Sequence, residues 1–461
     1  MKFCAVSVQF LFTMVSRVRR TDERARGRVH PSETDIARGR LYGYADAIEQ
    51  IESRSVTSQP PHTDADLLAR ARAIHARILT LDTHVDIPPD FGTETYDPRE
   101  AKSGRGQIDL VGMEHGGLDA VFFIVYVGQG ERNAAGYARA MADAFAKFAA
   151  IRRMTDVQYP EAIALARSAA DVRRIYGEGR LAALIGIENG HALGRDLRLL
   201  DTYHGFGARY LGLLHNGHND LGDSAVPYPR FKDAPAEHGG LTDFGRAAVA
   251  RANDLGIMVD VSHAAMTTAL DAIRASRAPV IASHSSVKGV YDHPRNLSDE
   301  ALAAIRDNGG VAQMVAFDAY LRPVSGERQS ALRALRTNMG IKGFADFQRL
   351  SDEKRDEWHT RRQEIDLKWP KASVKDFADH IDYAVNLAGI DHVGIASDFN
   401  GGGGIAGWDN ARDTLNVTVE LVRRGYGEDR IALLWGGNLL RVMEAVEGSA
   451  RDKAVTSERT A

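Results

Sequence analysis

The chain has 461 residues, 44% hydrophobic and 26% charged, with a formal net charge of −4, an ordinary composition for a soluble globular protein. The mixed charge gives no support for nucleic-acid binding, and no stretch past the first residues holds the roughly 20 consecutive apolar residues of a membrane span. A single cysteine, Cys4, excludes an internal disulfide framework and any cysteine-built zinc site, so metal ligands here are histidines and carboxylates.

Met1-Lys2 and the apolar run Phe3 to Val15 have the outline of a short export signal. Ser7, Gln9 and Ser16 interrupt it, however, and no small-x-small cleavage site follows. The reading favours a cytoplasmic chain and leaves export to the periplasm open. Residues 1–60 are polar and Arg-rich and run into Pro60-Pro61, which reads as an N-terminal extension and linker. Residues 61–448 read as one barrel domain and residues 449–461 as a disordered tail. Buried strands are predicted at 78–83, 120–127, 182–187, 208–214, 257–262, 280–283, 311–315 and 392–397. Helical patterns separate most of them. In 242–255, Phe244, Ala247, Ala248, Ala252 and Leu255 form one apolar face, and Gly256 supplies the stop. Another helix starts after Ser298, with Asp299 and Glu300 in its first turn, and ends at Gly309-Gly310. Strands alternating with helices imply a parallel sheet, and this many strands imply closure: an α/β chain with a (β/α)8 TIM-like barrel. A charged helical insertion, residues 321–372, precedes the last strand and reads as a solvated decoration.

The strand ends carry the chemistry. His263 and His284 each end an apolar run, with a helix-like stretch between them. His84-x-Asp86 ends the first run, and alternate residues of an extended segment share a face. Glu188, His215 and Asp398 follow the third, fourth and eighth runs. A lone histidine at a strand end is usually a hydrogen-bonded structural residue, but catalytic groups of barrels gather at this C-terminal face. The set is too large for one tetrahedral zinc and suits two metal ions sharing a carboxylate and a water.

The ordered motifs His-x-Asp, Glu, His, Ser-His, Ser283–Ser286, Arg295-Asn296 and Asp398-Phe399 resemble the membrane (renal) dipeptidase family, peptidase family M19, of the amidohydrolase-type barrels. So do Gly240–Gly245 and Gly437–Arg441, and the likeness spans roughly residues 65–447. The resemblance implies that His84 and Asp86 bind one Zn2+, that His263 and His284 bind a second, and that Glu188 bridges the two. It implies that His215 contacts the substrate and steadies the oxyanion, that Arg295 grips the C-terminal carboxylate, and that Asp398 relays the proton. The activity implied is hydrolysis of dipeptides, including those with a C-terminal D-residue, with homodimerisation a family-level expectation.

Asp398 is also a candidate metal ligand, and Asp260 a candidate orienter of one. His191 and His218 read as structural or supporting residues. Two departures bear on substrate preference: Asn400 stands where the family has a second Asp, and the segment after His215 lacks a Trp. They keep two alternatives open, a relative acting on a lactam or peptide-like metabolite and a silent metal-binding barrel. Gly401–Gly404 reads as a flexible active-site turn.

Overall fold

The computed structural model describes residues 64–459 except 89, 94–95, 100–105 and 342–349, so the N-terminal extension and its export-like segment lie outside the described residues. Its strands are β1 (Leu81–Asp86), β2 (Ala120–Tyr126), β3 (Ile163–Leu165), β4 (Leu181–Glu188), β5 (Ala208–Gly212), β6 (Met258–Asp260), β7 (Ile281–Ala282), β8 (Val311–Val315) and β9 (Val393–Ala396). All pair in parallel in the order β1-β2-β4-β5-β6-β7-β8-β9, and the short β3 pairs the start of β4. The seam closes where Asp86 N donates to Phe399 O (2.9 Å) and Asp398 N donates to His84 O (3.1 Å). The result is a (β/α)8 barrel, and the closing bonds bring the ends of the first and last barrel strands together.

Period-two alternation builds two apolar layers. Along β2, Ala120, Phe122 and Ile124 join Leu184, Tyr210, Met258, Ile281 and Val311 in one cluster. Val121, Phe123 and Val125 pack in the other with the helices. Each expected strand is present within a few residues. β3 is the addition: three residues give no period to read, and its place follows from pairing with β4.

Helix ends follow their caps. Thr242 accepts from Gly245 N (2.9 Å) to start the helix Asp243–Leu255, and Gly256 ends it at φ 74°. Ser298 likewise caps Asp299–Asp307. The connection between β8 and β9 includes helices Asp318–Leu321, Gly326–Asn338 and Asp352–Lys368. The latter two enclose Leu335, Ile341 and Trp358, and the buried Arg328 ties them by ion pairs to Asp318 and Asp366. The last helix, Asn438–Arg459, carries helical backbone across residue 449, where the sequence pattern predicts a disordered tail. Among the described residues no helix is long and apolar enough to cross a membrane.

Candidate active site

The C-terminal end of β1 supplies His84 and Asp86, and that of β4 supplies Glu188. Segments following β5, β6, β7 and β9 supply His215, His263, His284 and Asp398. Glu188 lies at the centre. Its Oε2 is 3.6 Å from His84 Nε2, and its Oε1 is 3.1, 3.5 and 4.0 Å from the Nε2 atoms of His263, His284 and His215. His84 Nε2 also faces Asp86 Oδ2 at 3.6 Å and Asp398 Oδ1 at 3.9 Å. All seven side chains predicted from the strand ends therefore converge, and all but His215 are buried.

Hydrogen bonds fix the tautomers. The Tyr210 hydroxyl donates to Thr83 O (3.3 Å), so it accepts from His84 Nδ1–H (3.0 Å). Ser283 Oγ donates to Asp260 Oδ2 (2.6 Å) and accepts from His284 Nδ1–H (2.8 Å). His263 Nδ1–H donates to Asn216 Oδ1 (3.2 Å). In each ring Nε2 is left as a bare lone pair aimed at carboxylate oxygens. His84 Nε2 is buried with no hydrogen-bond partner, and His263 Nε2 and His284 Nε2 stand 3.0 Å apart. Acceptors facing acceptors in a buried site call for a cation. Ligands about 2.1 Å from a tetrahedral ion lie about 3.4 Å apart, close to the spacing found, and the donor set fits a metal.

Charge follows the same logic. Burial pushes His263 and His284 well below the ordinary imidazole value, with the Arg295 charge adding to the shift. Neutral imidazole is the ligating form. Burial alone would raise Glu188, but the four imidazoles crowded around it hold it well below its usual range, and against its own burial His84 is pushed well above the ordinary imidazole value by Glu188 and Asp86: with no cation between them, the carboxylates draw protons onto the cluster in its place. Burial, reinforced by Asp86 and Glu188, drives the Asp398 carboxyl well above its usual range against the pull of His84 and Arg295. His263 (φ 66°) and Asp398 (φ 57°) hold left-handed backbone conformations, strain of the kind that clusters at active sites.

Arg295 is 3% exposed, with Nη2 on His284 O (3.1 Å) and its guanidinium 5.3 Å from the Tyr320 ring centre. Its Nε has no hydrogen-bond partner, and no ion pair to a carboxylate holds it among the described residues. A cavity of about 210 Å³ runs between His263, Ser285, Met266, Lys288 and Arg295. Across the site, the Tyr126 ring stands edge-on to His215 at 4.8 Å.

The Asp260 carboxylate reaches His284 through Ser283. Other positions differ from expectation. Asn400 does not face the cavity: its side chain accepts from Gln107 N (2.8 Å) and donates to Asp86 O (3.0 Å), so it braces the Asp86 strand end. Gly401–Gly404 is a bonded turn, with Gly401 N and Gly403 N on Asp398 O and Gly404 N on Ala316 O. A side chain at Gly401 would overlap the Asp398 and Asp86 carboxylates. His218 braces its loop through Ser224 N and Ala234 O, while the His191 ring nitrogens have no hydrogen-bond partner. Tyr126 contributes to the site without having been singled out in sequence, and the orienting roles of Tyr210, Ser283 and Asn216 emerge only from their hydrogen bonds.

A parallel barrel with imidazoles and carboxylates converging at its C-terminal mouth defines the class as a metal-dependent hydrolase. The family model "Membrane dipeptidase (Peptidase family M19)" matches residues 68–457, and the chain belongs to that family of metal-dependent dipeptidases. It is similar to the dipeptidase aclJ of Aspergillus oryzae, 32% identical over 357 residues, covering 76% of this chain and 72% of that one. Among solved structures it is similar to the probable dipeptidase PvdM of Pseudomonas aeruginosa, 36% identical with a TM-score of 0.73, covering 84% of this chain and 100% of that one. A metallo peptidase of Rhodobacter sphaeroides liganded with a phosphinate mimic of L-Ala-D-Ala is 25% identical with a TM-score of 0.62, covering 80% and 99%.

Proposed function

We propose that this chain is a binuclear zinc dipeptidase that accepts a D-residue at the C-terminal side of the scissile bond. The observation that carries the reading is the convergence of three bare Nε2 lone pairs on the two oxygens of Glu188, His84 on one and His263 with His284 on the other. His84 and Asp86 would hold one ion, His263 and His284 the other, with Glu188 between them. Bound there, the metals supply Lewis-acid polarisation of the carbonyl and a water acidic enough to attack at neutral pH.

The chain's own residues do the rest. Arg295 is buried, braced on Tyr320 and short of a carboxylate partner, so its guanidinium suits the substrate's terminal carboxylate. That contact restricts cleavage to the bond one residue from the C-terminus. His215 is held by the edge of Tyr126 and sits 4.3 Å ring to ring from His263, which places it to donate to the carbonyl oxygen as charge develops there. Asp398, with Oδ1 3.9 Å from His84 Nε2, stands at the edge of the cluster where it could take a proton from the attacking water and pass it to the leaving amine. The phosphinate mimic of L-Ala-D-Ala bound by the Rhodobacter relative supports the D-residue preference.

The test is a panel of L-L, L-D and D-L dipeptides assayed with zinc-loaded protein and its Asp398→Asn variant. Turnover of L-D substrates that falls about 100-fold or more in the variant, with zinc still bound, is expected. Absence of turnover on every dipeptide at full metal loading would sink the reading.

A further inference from the structure

Lys147 lies on the inward face of the helix Ala134–Arg153, among Ala140, Ala144, Phe148 and Ile151, and is 4% exposed. Its Nζ stands 5.0 Å over the Tyr126 ring, whose edge meets His215. An ammonium removed from water normally takes a carboxylate partner, because burying it unpaired is expensive. Among the described residues Lys147 forms no ion pair. Burial lowers its pKa, outweighing Asp86, Glu188 and Asp143, which act on its charge from a distance; Asp86 and Glu188 are committed to the metal-ligand cluster, and Asp143 forms no ion pair with it.

A second unpaired cation stands on the same flank. The exposed Arg230 guanidinium lies 4.7 Å from the Tyr228 ring and 4.6 Å from the Phe231 ring, and donates to Gln129 O (3.0 Å). Gln129 closely follows the end of β2, and Tyr228 lies against Gly217, two residues after His215. The neighbouring acids are engaged elsewhere: Asp233 accepts from His218 N and Tyr228 N, and Glu131 accepts from Asn133. Arg230 is thus held in place without a counter-charge. Arg295 lies beyond β7 on the other side of Glu188, so the flank above β2 falls to the N-terminal residue of a bound dipeptide.

We propose that Lys147 and Arg230, placed around Tyr126, form a second anion subsite that selects dipeptides whose N-terminal residue carries an acidic side chain. The assignment of ends rests on the dipeptidase reading. With Arg295 it gives the site a cation for each end of a doubly acidic substrate.

The measurement is kcat/KM for Glu-Ala against its neutral isostere Gln-Ala, in the wild type and in Lys147→Met and Arg230→Gln. Calorimetry with non-hydrolysable phosphinate mimics of the same two peptides repeats the comparison without turnover. A preference for the acidic member of about tenfold is expected, as for one charge-assisted contact, and each variant should lose most of it. Arg230→Gln is a surface change, so its result does not depend on how the helix tolerates the loss of the buried ammonium. Equal treatment of the two peptides or their mimics, within about twofold, overturns the subsite. Mimics bound with the preference while no dipeptide is cleaved would keep the subsite and remove the dipeptidase reading.

Discussion

Tyr210→Phe isolates one hydroxyl beneath the metal-ligand cluster. The ring occupies space left by Gly186, where any side chain would overlap it, so Phe keeps the packing. What disappears is the 3.0 Å bond to His84 Nδ1 and the 3.3 Å bond to Thr83 O. His84 is 0% exposed, so no water replaces the lost acceptor, and leaving Nδ1–H unpaired costs about 1–3 kcal/mol. The imidazole also loses the contact that fixes its tautomer, a change that typically weakens metal affinity about 10–100-fold. The effect should fall on the ion that His84 and Asp86 are proposed to hold, because the supports of His263 and His284, Asn216 and Ser283, are untouched. Competition titration against a chromophoric chelator would resolve two affinities, with only one of them reduced in the variant. Urea melts of the metal-free protein would report the stability loss separately. Two affinities unchanged, or both reduced equally, would refute the claim that Tyr210 sets the His84 tautomer.

Arg295→Lys replaces a planar fork with a point charge and should raise KM about 10–100-fold with a smaller change in kcat. An unchanged KM would remove Arg295 from substrate binding. Gly401→Ala should abolish metal occupancy and activity while far-UV circular dichroism stays that of the wild type, because the added methyl overlaps Asp398 Oδ1 and Asp86 Oδ2. Metal content by atomic absorption decides it, and full occupancy would refute the steric argument. Asp119, far along the strands from the site, has its carboxyl pushed up by burial to about 6 from 3.8, despite hydrogen bonds from Thr80. The folded state therefore holds its proton more tightly than the unfolded chain does. This contribution is complete below about pH 4 and is lost as pH rises through about 6, at most about 3 kcal/mol. The wild-type minus Asp119→Asn stability difference should fall across that window, and a flat difference would show that Asp119 titrates normally.

The convergence of these side chains was legible because a polar residue that ends or interrupts a buried apolar run is costly to bury unless something binds it. His84 and Asp86 even lie within β1, which runs to Asp86 rather than stopping at Thr83, and they share a face as their spacing requires. What the supports do was not legible, since nothing in sequence pairs the Tyr210 hydroxyl with His84. Its role depends on a glycine one strand away and a histidine two further strands around the barrel. Asn400 misled for a related reason. A lost charge beside Asp398 suggests altered specificity, whereas the side chain is spent on Gln107 and the Asp86 carbonyl. Lys147 is different, because its signal is present in the sequence. Ala140, Ala144, Lys147, Phe148 and Ile151 follow helical spacing, and a lysine on such a stripe must either snorkel to solvent or find a reason to be buried. With 4% exposure and no ion pair among the described residues, its stem is buried among the helix's apolar neighbours.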